Sequence, residues 1–348
     1  MISIEYLKGL PIDYELYLVE RYNSYLTTCR YIEIYYPTCE ISYILVREEG
    51  DLIDLLVFGN EGKTSMCFNS LVEIDQNIII ECTKRIFQEC PAIKDIVITS
   101  SFKSYSLKRS ILLSKSNDHI IKLPSSMDEY YSALGYHTRK NSRNRKVRLL
   151  RDYSDVQFYT KFGSEIDEVL IDKILELNTD RMKSKGIIPG SDKDKNKIFR
   201  YSQYYGCVAY IEIDGVLVAG FIATILEKRL FGHVIAHDNN FSKYNLGEIC
   251  QFYLIQTAID KGLTAFHYSW GENEYKKRLL ANPHLMFSYS IYKAYSFDYF
   301  YTKMRVIISQ ILTDFRLSKY SKPLRDAIKN YRKKKWKVNE QLNSNDNL

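Results

Sequence analysis

The sequence predicts an α/β protein with mixed sheets: two tandem copies of one fold, then a basic helical C-terminal tail. Three observations predict it. Between residues 206 and 276 the chain reads strand, tight turn, strand, turn, strand, glycine-ended loop, helix, strand. The same order occurs once more upstream, between residues 41 and 100. Beyond residue 315 Lys and Arg dominate. An element order repeated at domain scale marks an internal repeat even where residue identities do not match.

The first copy opens with apolar runs at 41–48, 52–58 and 64–70, separated by turns at Glu49-Gly50-Asp51 and 59–63. Short runs rich in Ile, Leu, Val and Phe and bounded by glycine are strand signals. A helix is predicted over 74–89 and a strand over 95–100. The second copy repeats the plan. Runs 207–213 and 216–226 flank Asp214-Gly215, a two-residue hairpin signal. The run 230–236 follows the turn Glu227-Lys228-Arg229. Ile249, Phe252, Ile255 and Ile259 recur at helical spacing, and Gly262 stops that helix. Residues 265–270 form a further strand. The copies are expected to differ in one place. The first joins its third strand to its helix through the short Leu71-Val72-Glu73, the second through a long polar loop, 237–246, ending at Gly247. Long connections in compact domains are commonly functional, so the site is expected in the second copy, with the first as scaffold. The expected bounds are 1–122 and 123–315 for the two domains and 316–348 for the tail.

Composition fits this plan. With 348 residues, 45% of them hydrophobic, the chain can build two cores. Met1 to Leu10 contains Glu5 and Lys8 and no apolar block, so no signal peptide is expected. No run of about 18 apolar residues occurs, and the best candidate, 285–301, is broken by Lys293 and Asp298. Seven cysteines without a Cys-x-x-Cys read as reduced core thiols of a cytoplasmic protein. The thirty tyrosines accompany abundant Ile, Lys and Asn and are read as codon bias.

Charge is unevenly spread. Arg316 to Lys337 holds ten Lys/Arg against Asp326 alone, which outweighs the net +7 of the whole chain. With Leu324, Ile328, Tyr331 and Trp336 interleaved, such a tail suits an anionic membrane surface, at the inner face, or nucleic acid; a solvated terminus is the reading preferred here. A second basic run joins Arg139, Lys140, Arg143, Arg145, Lys146, Arg148 and Arg151 on a helix expected to start at Thr138. It is either a charged surface helix or one that steers an anionic ligand such as CoA or a nucleotide sugar.

Two constellations resemble a known family. The first is Leu123-Pro124-x-x-x-x-Glu129-Tyr130 followed by Thr138-Arg139-Lys140-Asn141 and the Arg-rich helix. The second is Asp214-Gly215, His237-Asp238-x-x-Phe241, Gly247, Gly262-Leu263 and Gly271-x-x-x-Tyr275-Lys276. Together, over roughly 123–280, they resemble the cellulose-biosynthesis-like acetyltransferases of the GNAT superfamily, which are related to the tandem-GNAT Fem-type aminoacyl transferases. The resemblance implies two tandem GNAT-like domains, acetyl-CoA or another acyl-CoA as co-substrate, and N-acylation of an amine. It implies a small-molecule acceptor: an amino sugar, nucleotide-linked, in bacterial surface-polysaccharide assembly, with no metal and no nucleic acid. Its alternatives are a Fem-type transferase using aminoacyl-tRNA, whose RNA the basic segments would grip, and a non-catalytic scaffold. The sequence departs from the family loop Gln/Arg-x-x-Gly-x-Gly/Ala: Ser242, Asn245 and Gly247 stand at those positions. Asn245-Leu246 replace a small residue and Pro, and His267 stands where Asp is frequent.

Acyl transfer to an amine needs a proton acceptor, an oxyanion donor, a proton or dipole for the leaving thiolate, and a grip on pantetheine and pyrophosphate. Ala236 and its neighbours would expose backbone for pantetheine. Asn245, Leu246, Gly247, Glu248 and Ile249 would offer N–H groups at a helix start to the pyrophosphate. His237 is a candidate base or a solvent-facing loop histidine. Asp238 orients His237 or the acceptor, or is a turn residue. His267 is a third candidate or a satisfied core histidine. Tyr275 could protonate the thiolate. Lys276 could hold an acceptor phosphate or carboxylate, Arg139 and Glu272 could contact the acceptor, and Glu272 is a further base candidate; Tyr275, Lys276 and Glu272 could equally be helix-surface residues. His233-x-x-x-His237 has metal spacing only on a helix, and it falls on a strand and loop. Gly-x-x-x-x-Gly-Lys-Ser/Thr, Gly-x-Ser-x-Gly and Gly-x-Gly-x-x-Gly are absent.

Overall fold

The computed structural model describes residues 2–186, 194–269, 274–294 and 296–314. They divide into two compact units, one made of Met1–Ser116 with the stretch from Met286, the other of Asn117–Leu285. In chain order the first contributes β1 (Ile2–Lys8), α1 (Glu15–Tyr22), α2 (Cys29–Tyr35), β2 (Glu40–Glu48), β3 (Asp51–Glu61), β4 (Thr64–Cys67), α3 (Gln76–Glu89) and β5 (Asp95–Ser101); β6 (Ser110–Lys122) leads onward. The second contributes α4 (Met127–Ala133), α5 (Tyr136–Asp152), β7 (Val156–Phe162), α6 (Glu168–Ser184), α7 (Lys195–Tyr205), β8 (Gly206–Ile213), β9 (Val216–Leu226), β10 (Arg229–His237), α8 (Leu246–Asp260), β11 (Ala265–His267) and α9 (Glu274–Arg278). Then follow β12 (Asn282–Tyr292) and α10 (Phe297–Asp314).

Both units share one strand order. In the first, β1-β2-β3-β4 run antiparallel and β4 pairs parallel with β5. In the second, β7-β8-β9-β10 run antiparallel and β10 pairs parallel with β11. Two helices separate the first two strands of each, and a crossover helix, α3 or α8, links the parallel pair. The repeat read from the sequence is therefore present. The sixth strand of each sheet was not legible. β6, which follows β5 in the chain, pairs with β11 of the second unit; β12, which follows β11, pairs with β5 of the first.

Local chemistry explains the elements. Asp214 and Gly215 both have positive φ, 51° and 75°, as the expected hairpin turn requires. Gly262, at φ 69°, closes α8: its N–H bonds the Ile259 carbonyl and the Leu263 N–H bonds Ala258. Helix α6 lies close on β9 because Gly220 has no side chain; a Cβ there would stand 2.5 Å from Ile174. Gly220 pairs with Ala236, so two small residues let α6 settle over the end of β10. On the other face, α8 buries Leu246, Ile249, Cys250, Phe252, Leu254 and Ile255 against β8, β9 and β10.

Several expectations shift. β4 ends at Cys67, not at 70, and β11 at His267, not at 270. Helix α5 starts at Tyr136 rather than Thr138. The connections after β4 and β10 are equally long, 68–75 and 238–245. The expected contrast in loop length is therefore absent. Residues 68–70 do not extend β4, so the first connection is longer than the sequence suggested. The second is shorter than expected because His237 belongs to β10 and Leu246 to α8. It contains a 3-10 helix, Asn239–Tyr244, whose Tyr244 is buried and donates to Asp152 Oδ2 at 2.8 Å. The expectations for the basic tail and for Glu272 fall outside the described residues. Among those described, no helix is long and apolar enough to cross a membrane.

Candidate acyl-transfer site

The site is built where β10 outruns its partner. β10 and β11 pair only through Arg229–Phe231 and Ala265–His267. Past a bulge between Gly232 and Val234, β10 continues to His237 against β9. Asp238 N–H bonds the Val218 carbonyl. Antiparallel alternation then turns the main-chain groups of Ile235 and His237 away from β9, into the opening beside β11. Ser269, at φ 58°, reaches back to the Gly232 carbonyl at 3.2 Å.

Helix α8 begins beside this edge. Asn245 takes a left-handed conformation, φ 52°, and its carbonyl accepts from the N–H groups of Glu248 and Ile249. Of the five residues expected to face a pyrophosphate, Leu246 and Gly247 thus keep N–H groups without an intrahelical acceptor. The side chains of Leu246, Ile249 and Ala236 are buried in the core, so these residues can offer only backbone. Gly247 lies against His237: a Cβ there would come 3.1 Å from His237 Cδ2. Glu248 places a carboxylate in the first turn, where it accepts from Arg145 at 2.7 Å and from Asn245 Nδ2 at 3.0 Å. Arg145 comes from the basic helix α5 and neutralises that charge.

His237 is half-buried, and burial holds its pKa below the ordinary histidine value, with Arg181 and Lys185 lowering it further. Its ring is therefore neutral at pH 7 and able to accept a proton. Asp238 caps the 3-10 helix, its Oδ1 accepting from Asn240 N–H at 2.8 Å. Tyr275, on α9, sits edge-on to Tyr268 at 6.2 Å; burial raises its pKa against the opposing pull of Arg181, so the phenol stays protonated.

His267 and Lys276 face inward. His267 is 2% exposed, stacks on Phe231 and shares a 2.7 Å hydrogen bond between Nδ1 and Asp118 Oδ2. It pins β11 to β6 and sits in the core, so a base role would need the core to open. Lys276 is 3% exposed and donates to the carbonyls of Tyr268 and Ser269 at 3.4 and 3.3 Å; burial pulls its pKa down to about 8. Its ammonium is engaged with the chain just past β11 rather than offered to an acceptor. Arg139 donates to the Ser132 carbonyl at 3.1 Å, at the end of α4. Among the described residues no three His, Cys, Asp or Glu side chains are placed to hold a metal ion.

Sequence reading singled out neither Asp118 nor Arg181, and it gave Arg145 no role of its own. Asp118 is a fully buried carboxylate within an otherwise ordinary strand. Arg181 had a legible signal: Asn178 and Arg181 fall three apart on or beside the apolar face of α6 (Leu170, Ile171, Ile174, Leu175, Met182), where polar residues are out of pattern.

Comparison with known proteins agrees with the fold. An acetyltransferase (GNAT) domain family matches residues 137–277, inside the second unit. No curated protein matches the sequence. Among solved structures, FemX is similar over 83% of this chain and 97% of its own, at 11% identity and TM-score 0.61. A conserved protein of unknown function from Bacteroides thetaiotaomicron is similar over 84% of this chain and 100% of its own, at 12% identity and TM-score 0.55. L-PGS from Bacillus licheniformis covers 84% and 95%, at 10% identity and TM-score 0.52. At such identities the likeness is one of fold. The repeated strand order, the family match and these folds give the chain a GNAT acyltransferase-like fold, with the family match in its second unit.

Proposed function

We propose that the second unit is an N-acyltransferase that moves an acyl group from acyl-CoA to the amine of a small-molecule acceptor. The observation that carries this reading is the edge of β10 at Ile235 and His237, which has no strand partner among the described residues, beside the first turn of α8. Its residues fit the co-substrate. The backbone of Ile235 and His237 suits the amides of pantetheine, and the N–H groups of Leu246 and Gly247 suit a pyrophosphate. The Arg145–Glu248 pair keeps the Glu248 carboxylate from repelling that anion. Bound acyl-CoA would supply the activated thioester. His237 takes the amine proton on its ring, and Tyr275 holds a phenolic proton for the leaving sulfur. The sequence resemblance to the cellulose-biosynthesis-like acetyltransferases favours an amino sugar, nucleotide-linked, in surface-polysaccharide assembly.

A second reading, Fem-type transfer from aminoacyl-tRNA, is favoured by the likeness of fold to FemX. Calorimetry with CoA and acetyl-CoA, then thiol release over a panel of amines, tests the first reading. Binding and turnover support it. No CoA binding, with aminoacyl-tRNA retarded on a gel, would transfer the case to the second. Neither response would leave a non-catalytic scaffold.

A further inference from the structure

This inference rests on the transferase reading and names what else the acceptor carries. Arg181 lies on the last turn of α6 and Lys185 follows at the C-cap. Residues four apart on a helix share a face. Arg181 Nη2 donates to the neutral amide oxygen of Asn178 at 2.9 Å, while its Nε is shut off from solvent with no acceptor. Among the described residues no carboxylate lies within ion-pair distance of Arg181 or Lys185. Both cations act on His237, and Arg181 also acts on Tyr275. Helix α6 packs on β10, and Ser184 touches Asn239, two residues past His237, so the pair lies at the His237 end of that strand. A contact between Asn239 Nδ2 and Ser184 Oγ, 3.3 Å, ties this end of α6 to the loop after β10.

A simpler role for cations at a helix C-terminus is to offset the dipole, and exposed Lys183 does that in water. It does not account for Arg181. Arg181 is partly exposed, but its Nε is closed off from solvent without an acceptor, which is costly, and a carboxylate or phosphate at this guanidinium would supply one. We propose that Arg181 and Lys185 form an oxyanion subsite that holds a carboxylate or phosphate of the acceptor while its amine lies beside His237.

The test is direct binding to the full chain without donor, so it reads the subsite whether or not acyl transfer occurs. Affinities are measured for two pairs that differ by one anionic group: glucosamine 6-phosphate against glucosamine, and lysine against lysinamide. The anionic member of at least one pair should bind about tenfold to a hundredfold more tightly, the scale of a charge-assisted hydrogen bond. The pair that responds tells phosphate from carboxylate. Arg181→Gln and Lys185→Gln should each shrink that ratio towards one, Arg181→Lys should restore part of it, and Lys183→Gln should leave it unchanged. Should Arg181→Gln not fold, exposed Lys185 carries the same test. No preference in either pair, or a preference that survives Lys185→Gln and Arg181→Gln, would overturn the subsite. Loss of thiol release with the ratio intact would count against the transferase reading alone.

Discussion

The two units present the same parallel strand pair and the same length of connection, yet among the described residues only the second leaves a gap. In the first, the chain after β4 is laced to β5. Ser70 Oγ and Thr99 Oγ1 lie 2.6 Å apart, Leu71 N–H bonds the Ser100 carbonyl at 2.9 Å, and Phe102 N–H bonds Val72 at 3.1 Å. Tyr105 adds bonds to Ser101 Oγ and the Ile74 carbonyl. Asp75 closes the start of α3 by accepting from Asn77 N–H. In the second, the loop after β10 turns the other way, towards α5 through Tyr244, and Asn245 makes no side-chain cap. Buried backbone groups must be paired somewhere. The first unit pairs them with its own chain. The second leaves Ile235, His237, Leu246 and Gly247 with main-chain capacity for a ligand. Loop length does not distinguish the two units; the direction in which the loop spends its hydrogen bonds does.

The largest test of that comparison is Gly247→Val. A branched side chain there meets His237 within the 3.1 Å already found for a Cβ. CoA binding by calorimetry should vanish while circular dichroism stays that of a folded chain. Parental affinity would place the ligand elsewhere. Next, His237→Ala should slow thiol release by roughly 10²–10⁴-fold, with CoA affinity little changed and the acidic limb of the pH profile lost. An unaltered profile would exclude His237 as the base.

Asp118→Ala is a smaller change and acts on stability. It leaves the buried Nδ1 of His267 without its partner and should lower the unfolding free energy by about 2 kcal/mol in urea titration. A loss of CoA affinity without a loss of stability would contradict the structural role given to this pair. Ser70→Ala, in the first unit, should cost about 1 kcal/mol and leave CoA binding untouched. If it created a second CoA site, the lacing would be what closes the first unit.

A further expected effect is on pH dependence. Burial pulls His233 from 6.5 to about 4, and its Nε2 lies 2.8 Å from Thr224 Oγ1. His237 is depressed in the same direction. Both bind a proton more weakly folded than unfolded. Their contribution is complete above the unfolded value of 6.5 and is lost as pH falls from there towards 4. Urea midpoints should drop between pH 7 and pH 5, and less so in His233→Gln. Equal slopes in parent and variant would remove His233 from that account.

Much of the fold was legible because local rules fix it. Apolar runs gave the strands, Asp214-Gly215 gave a turn with both φ positive, and Gly262 gave the helix stop. Strand ends were less legible, since 68–70 and 268–270 keep an apolar or neutral composition after pairing stops. Of the site, the edge of β10 and the start of α8 were legible as a loop before a helix. His237 and Tyr275 were legible as titratable residues near it, and Arg181 on α6 carried a weaker signal as a polar residue beside an apolar face.

The sequence by itself determined the repeat, the class of each element and the stretch of chain that forms the loop before α8, because turn chemistry and periodicity act over a few residues. Tertiary structure alone decided which gap stays open, and it set the exchange in which β6 completes the second sheet and β12 the first. It also decided which charges are spent. Glu248 is answered by Arg145 from 103 residues away, and His267 by Asp118 from 149. Such pairings depend on what packing brings within about 3 Å, and no spacing along the chain encodes that distance.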